Sequence, residues 1–508
     1  MPRPAHRPNR TNAAAALIAA AALSSGLAMT ATGTARADEQ PLVFAQPFYD
    51  EFPAPFFPTM LLPRDLDGDG VMDLVVPGRD PEKRLFTMKG VGDGHFTPLQ
   101  TLAADGFVDW VELADLDGDG TDDLVAAWRG DFPRLVMHRG LAGGAFGEPE
   151  VLAGVTESMG RDAQGLAVAD FDGDGDADIA ITQYVSSSVE VFANLGRGGD
   201  GALVVERTAR VRIGSFLGGF AFPRLVSAGD LDGDGDLDLV ANQIGGSRVA
   251  MIRNEGGRFA RAIEHRAPQI GAERPGTAGM RVIDFDGDGD LDVLCPALLI
   301  ESQQKIVAFV NDGSGDLSQR IVGVGAPLGY AFSLDMADLD GDGDLDAVTG
   351  AALPGLISVG RRTAAGLFEF SNDSLLPFGQ LIRHLAAFDV DGDCDLDIVG
   401  IDGPARVVLT AINNTPGATG GCGGVARVAQ TPKQSPRATD EPRVTPVPLP
   451  DFGDFNGDGV RDAADFAAWL AARSREMPMA RESIVSPEKS ADSGRSTPRA
   501  SIEKRGAK

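Results

Sequence analysis

Side chains that do covalent or acid–base chemistry are scarce in this sequence. Its 508 residues include three cysteines, five histidines, three tyrosines and three tryptophans. Three cysteines are too few for a disulfide framework. Cys295 lies in an apolar run and reads as a small core residue, while Cys394 and Cys422 either bridge or remain two thiols. His6 falls in the N-terminal stretch, and His95, His138, His265 and His384 sit at non-equivalent places. They read as exposed or turn residues rather than as a zinc set or a triad. Walker loops, nucleophile elbows and HExxH are all absent. Basic residues are outnumbered, 45 Lys and Arg against 74 Asp and Glu, for a formal net charge of -29. Nucleic acid is thereby excluded as a partner, because phosphate recognition needs stripes of Lys and Arg. Beyond residue 37 no apolar run is long enough to span a bilayer.

Acidic loops are abundant instead. One nine-residue pattern recurs seven times, with carboxylates at positions 1, 3, 5 and 9. These are Asp65, Asp67, Asp69 and Asp73; Asp115, Asp117, Asp119 and Asp123; Asp170, Asp172, Asp174 and Asp178; and Asp230, Asp232, Asp234 and Asp238. The last three sets are Asp284, Asp286, Asp288 and Asp292; Asp338, Asp340, Asp342 and Asp346; and Asp389, Asp391, Asp393 and Asp397. Glycine holds position 4 in all copies and position 6 in six. So many carboxylates repel one another unless a cation sits among them. An oxygen-only ligand set, completed by a backbone carbonyl at position 7, suits Ca²⁺ better than Mg²⁺. An Asp-Gly turn needs one or two such residues, not the same four each time. Seven Ca²⁺ would offset fourteen charges, so the acidity mostly reflects metal sites.

Loop starts lie 50, 55, 60, 54, 54 and 51 residues apart. A period near fifty with strands inside it predicts a propeller. Each repeat carries four apolar runs. One precedes the loop (Trp110–Ala114, Gly165–Ala169) and one leaves it (Leu74–Val76, Ile179–Thr182). A third follows (Val189–Ala193, Val249–Arg253), and a fourth comes after a glycine turn (His95-Phe96, Ala145-Phe146, Arg258-Phe259). Short β-branched runs punctuated by Gly, Asn and Asp read as antiparallel strands. The predicted fold is all-β, a seven-bladed β-propeller of four-stranded antiparallel blades, with a short EF-hand-like loop-helix at the C-terminus. The seventh repeat lacks a fourth strand, and Pro41–Phe48 is left over before the first loop. That stretch is expected to form the outer strand of the last blade and to cover its edge.

Outside the repeats, residues 1–37 read as a signal peptide: Arg3, Arg7 and Arg10, an apolar run, then Ala35-Arg36-Ala37 as a cleavage site. The mature chain is expected to be secreted and to remain extracellular or on the cell surface, where calcium is millimolar. The propeller occupies 38–414 and a Pro/Thr/Gly-rich linker 415–450. A calcium segment at 451–474 has oxygen ligands at EF-hand spacing, Asp454, Asn456, Asp458, Asp462 and Asp465, followed by a helix at Ala463–Arg473. A polar tail at 475–508 reads as disordered.

The repeats resemble the FG-GAP or VCBS repeats of integrin α-subunit-type β-propellers, on the signature D-x-D-x-D-G-x-x-D and on Phe146-Gly147. The resemblance covers residues 41–414 and implies a propeller with about one Ca²⁺ per blade; such repeats occur in adhesins, receptors, lectin-like proteins and some polysaccharide lyases. Cys394 replaces the glycine at position 6, which makes loop seven the poorest match. The 451–474 segment resembles half of a type I dockerin, which implies a cohesin-like or cell-envelope partner. Away from the loops, inter-blade segments carry aromatics and arginines, among them Trp110, Arg161, Phe222, Arg224, Arg274, Tyr330 and Arg383. Aromatic rings beside Arg at a ring mouth suit sugars or protein side chains; packing between blades is the other use for such rings. The leading reading is a binding or adhesion module for an extracellular protein or glycan, with structural metal. The alternatives are a carbohydrate-active enzyme such as a polysaccharide lyase, and a structural surface protein.

Overall fold

The computed structural model describes residues 42–418, apart from 130–132, 156–161, 200, 215–220, 245–247, 269–275, 278, 299–303, 327–330, 352–354 and 378–380. The expected signal peptide, most of the linker, the 451–474 segment with its helix, and the tail lie outside the described residues. Among the described residues there is no helix, hence none long and apolar enough to cross a membrane.

Every acidic loop joins two strands of one antiparallel pair. Loop one lies between Leu62–Arg64 and Asp73–Val76, loop two between Phe107–Ala114 and Asp123–Arg129, loop three between Ala163–Ala169 and Asp178–Gln183. In all seven the carboxylate at position 9 is the first residue of the second strand. Five sheets are four-stranded and antiparallel, those of loops one, two, three, four and seven. Loops five and six belong to one nine-stranded sheet. Its two antiparallel halves meet where Ser318–Ala326 runs parallel to Phe368–Pro377, through Gly323 with Phe368 and Val324 with Glu369.

Sequence character follows from position in the sheet. The strands leaving the loops are buried almost throughout, as at Asp178–Gln183 and Asp238–Gln243. They read as continuous apolar runs because neighbouring sheets cover both faces. An outer strand such as Phe96–Ala103 is mostly exposed. The core consists of apolar clusters between consecutive sheets. Leu225, Val240 and Met251 of the loop-four sheet pack on Val282, Val293 and Phe309 of the next. Ile283, Leu294 and Ile306 pack on Leu334, Met336 and Ala347, across the two halves of the nine-stranded sheet. Phe388, Val399 and Ile401 of the last sheet pack on Leu61, Leu74 and Val76 of the first. First and last sheets therefore share a core, and the arrangement is propeller-like.

The loop-seven sheet takes its outer strand from the N-terminal side. Phe48–Glu51 pairs antiparallel with Val407–Ala411, and Phe44 bridges Asn413. The pairing residues lie slightly later than Pro41–Phe48. The fourth strand of the loop-four sheet is also later than its sequence suggests. It runs Ile263–Arg266, whereas Phe259 makes only a bridge to Asn254 and Ala260 bonds back to Arg253.

Candidate metal centres

The loops share one hydrogen-bond plan. In loop one Asp65 Oδ1 accepts from the Gly68 amide (2.8 Å) and Oδ2 from the Gly70 amide (3.0 Å). Asp67 and Asp69 accept from the amides two residues onward. Asp73 accepts from the Leu66 amide (3.0 Å) and, with its other oxygen, from Gly90 on the next strand (2.9 Å). Loop seven repeats the plan with Asp389, Asp391, Asp393 and Asp397. Curling so tightly takes positive φ, 77° at Gly68 and 89° at Gly70. Cys394 adopts φ 75° at the equivalent place. Loop seven thus keeps the common backbone geometry despite losing its glycine.

This plan turns the carboxylates toward one another. Single oxygens of Asp65, Asp67 and Asp73 lie within 4.8 Å of each other, as do those of Asp115, Asp117 and Asp123; Asp170, Asp172 and Asp178; Asp230, Asp232 and Asp234; and Asp284, Asp286 and Asp292. Asp117, Asp232 and Asp340, at position 3 of loops two, four and six, each keep a buried Oδ1 without a hydrogen-bond partner. Buried, unpartnered carboxylate oxygens in an oxygen-only set fit a hard cation. Positions 1, 3, 5 and 9 would hold it, and it would supply charge neutralisation and a cross-link through each loop.

Burial pushes the position-9 carboxyls upward, to about 8 at Asp346, about 7 at Asp178, Asp238 and Asp397, and about 6 at Asp292. Backbone amides pull the other way, while the carboxylates at positions 3 and 5 add to the rise. Basic side chains offset part of the charge. Lys89 pairs with Asp67 and Asp69, Arg139 with Asp117 and Asp119, Arg253 with Asp232, Arg320 with Asp286 and Arg361 with Asp340. Among the described residues no Lys or Arg pairs with Asp172 or Asp391 at position 3 of loops three and seven.

Four buried asparagines, not anticipated from the sequence, tie neighbouring loops together at four places. Asn194 donates from Nδ2 to Leu116 O in loop two (2.8 Å) and to Ala177 O in loop three (3.2 Å). Asn254 links loops three and four through Phe171 O and Leu237 O, Asn311 links four and five, and Asn413 links six and seven. Their own amides bond the position-9 carboxylates, as Asn194 does to Asp178 (2.8 Å). The signal was a fixed offset: Asn194, Asn254 and Asn413 follow their loop starts by 24 residues, Asn311 by 27. In loops one and two the same place is Gly90 or Gly140, where a Cβ would lie 2.3 Å from Met72 O or Asp122 O. Replacing Asn254 by Ala strands two buried carbonyls and the Gly257 amide that bonds Oδ1. At about 1–3 kcal/mol per unsatisfied buried group, partly relaxed, the expected loss is about 2–4 kcal/mol. Urea unfolding measures it against Asn414→Ala, an exposed neighbour of Asn413 expected to shift stability by less than about 0.5 kcal/mol.

Of the expected ligand-binding residues, Trp110, Arg224 and Arg383 come together and Phe222 lies beside them; Arg161, Arg274 and Tyr330 lie outside the described residues. Trp110, Arg224 and Arg383 line one cavity with Thr59, Asp109, Gln164 and Leu225. They are buried there rather than displayed at a mouth, with Arg224 only 2% exposed. Arg224 donates to Gln164 (2.8 Å) and stacks over Tyr184, Arg383 stacks over Phe57, and Asp109 takes both Arg79 and Arg129. Aromatic faces and polar partners make such burial affordable for a guanidinium. Thr59, Asp109, Gln164, Arg224 and Arg383 each precede a loop start by six residues, so one register position of five sheets meets at this cavity. Phe222 is half-buried, with φ 49°, and packs on Tyr184 at 4.8 Å between centroids. His138, His265 and His384 are buried; His95 lies 3.1 Å from Asp50. Cys295 is free and buried, and Cys394 is disulfide-bonded.

The sequence matches the FG-GAP-like repeat over residues 65–126, 170–241 and 230–295. Each match begins on the first carboxylate of an acidic loop. These are FG-GAP-like repeats in a propeller-like arrangement of sheets. No curated protein matches the chain. Among solved structures it is similar to BBS1N in complex with ARL6DN, at 11% identity over 73% of this chain and 96% of that one, with a TM-score of 0.48. It is also similar to a functionally unknown protein from Desulfotomaculum acetoxidans, at 14% identity over 61% and 84% of the chains, with a TM-score of 0.39.

Proposed function

We propose that this protein is a secreted, calcium-stabilised seven-bladed propeller that serves as a binding or adhesion module for an extracellular protein or glycan. The recurrence of one inward-turned carboxylate arrangement around the whole set of sheets carries this reading. Calcium is the ion whose oxygen sphere matches that arrangement. The nine-stranded sheet counts as two blades joined at their outer edges, since its halves pack on each other as separate sheets do elsewhere. The disulfide at Cys394 supports an oxidising compartment, in keeping with the signal peptide. Asp454, Asn456, Asp458, Asp462 and Asp465 form a further calcium loop that engages a cohesin-like or cell-envelope partner. Ligand contact falls to the half-buried aromatics beside the cavity, Tyr184 and Phe222, because the arginines inside are packed. The strained φ of Phe222 favours that choice, as such strain gathers where a surface does work.

Equilibrium dialysis of the purified chain, followed by glycan and matrix-protein arrays with calcium and with chelator, tests the reading. Calcium near one ion per acidic loop, together with a calcium-dependent ligand, is the expected result. A chain that binds no calcium would sink it.

A further inference from the structure

The seventh loop differs from the other six in the burial of its position-7 side chain. Loops one and two have Val71 and Thr121 there, and loops three to six have Asp176, Asp236, Asp290 and Asp344, all exposed or half-buried. In loop seven position 7 is Asp395, 7% exposed, whose Oδ1 is buried without a hydrogen-bond partner. The charges that face it are the carboxylates of Asp391, Asp393 and Asp397. A carboxylate pressed among three others and withdrawn from water is costly unless a cation lies between them. Two further features bear on affinity, the first of them shared with loop three. No Lys or Arg among the described residues pairs with Asp391, so no side chain competes for that oxygen. Cys394, adjacent to Asp395, is fixed by a disulfide at φ 75°, which limits the motion of the loop before an ion arrives.

We propose that loop seven is the tightest calcium site of the protein, with the Asp395 carboxylate serving as a fifth acidic ligand from position 7. This rests on the calcium reading of the loops. Ligand charge and rigidity set affinity in oxygen-coordinated calcium sites, and both are greatest here. Because Asp397 also bonds the Asn413 amide, the ion that leaves last would hold the sheet that the N-terminal strand completes.

The test titrates calcium into the full chain after chelation and follows bound ion by equilibrium dialysis. Wild type is expected to fill one site at a calcium concentration about tenfold or more below the rest. Asp395→Asn, nearly isosteric, should remove that early step. Asp176→Asn, at the same position in loop three, should leave it in place. A circular dichroism spectrum unchanged by either substitution shows that the fold persists. A single affinity class in wild type, or an early step that survives Asp395→Asn, overturns the assignment while leaving the calcium reading intact. Absence of any bound calcium in wild type overturns both.

Discussion

Removing calcium should lower the melting temperature of the protein by roughly 10 °C or more, the change expected of about 10 kcal/mol in a domain of this size. The estimate takes sites that bind at about 0.1 mM in about 1 mM calcium. Linkage then gives roughly 1.4 kcal/mol for each, or on the order of 10 kcal/mol for seven. That is as large as the whole stability of many domains. The pH dependence should change sign with the ion. In chelator Asp178, Asp238, Asp346 and Asp397 titrate at about 7 to 8 when folded, against about 3.9 in an unfolded chain. Between those values the folded state holds more protons, so its stability falls as pH rises through the window. The calcium-free protein should therefore melt higher at pH 5.5 than at pH 8. With calcium saturating, the carboxylates are kept ionised and acid expels the ion, so the order reverses. Scanning calorimetry at the two pH values, with and without chelator, checks both points. The same sign in both conditions would remove the metal from the account.

Deleting residues 42–51 should cost on the order of 5 kcal/mol, from several ladder hydrogen bonds at about 0.5–1.5 kcal/mol each and the packing of Phe48. Phe48 stacks on His95, and Asp50 accepts from the Phe96 amide, so the segment also fastens the last sheet to the first. Its loss would bare the edge of Val407–Ala411, whose side chains are buried along the whole strand. A free apolar edge invites pairing between molecules. Size-exclusion chromatography should show oligomers of the deletion variant, and thermal melting a lower transition. A monomer of unchanged melting temperature would mean that the sheet does not need its fourth strand.

The acidic loops were legible because every ligand lies within nine residues of the others, so that spacing alone sets the geometry. The outer strand of the last sheet was legible by counting, although Phe48–Glu51 could not be told from its neighbours until the partner strand fixed the register. Arg224 was not legible as a buried residue, because the groups that make its burial tolerable, Gln164 and Tyr184, come from another sheet. The parallel meeting of Gly323–Val324 with Phe368–Glu369 was likewise hidden, since it depends on how two outer edges approach. Asn194 and its counterparts carried a signal in their common offset, but a polar residue at the end of a strand looks like the start of a turn.

The closing ladder also has a direction. Phe44 meets Asn413, Phe48 meets Thr410 and Glu51 meets Val407, so the two chain ends leave from the same end of the ladder. Tension applied between them would part the pairs one after another, like a zip, instead of shearing them all at once. The first pair to yield includes Asn413, whose side chain grips loops six and seven together. Tension across this ladder would thus be felt first at two of the acidic loops.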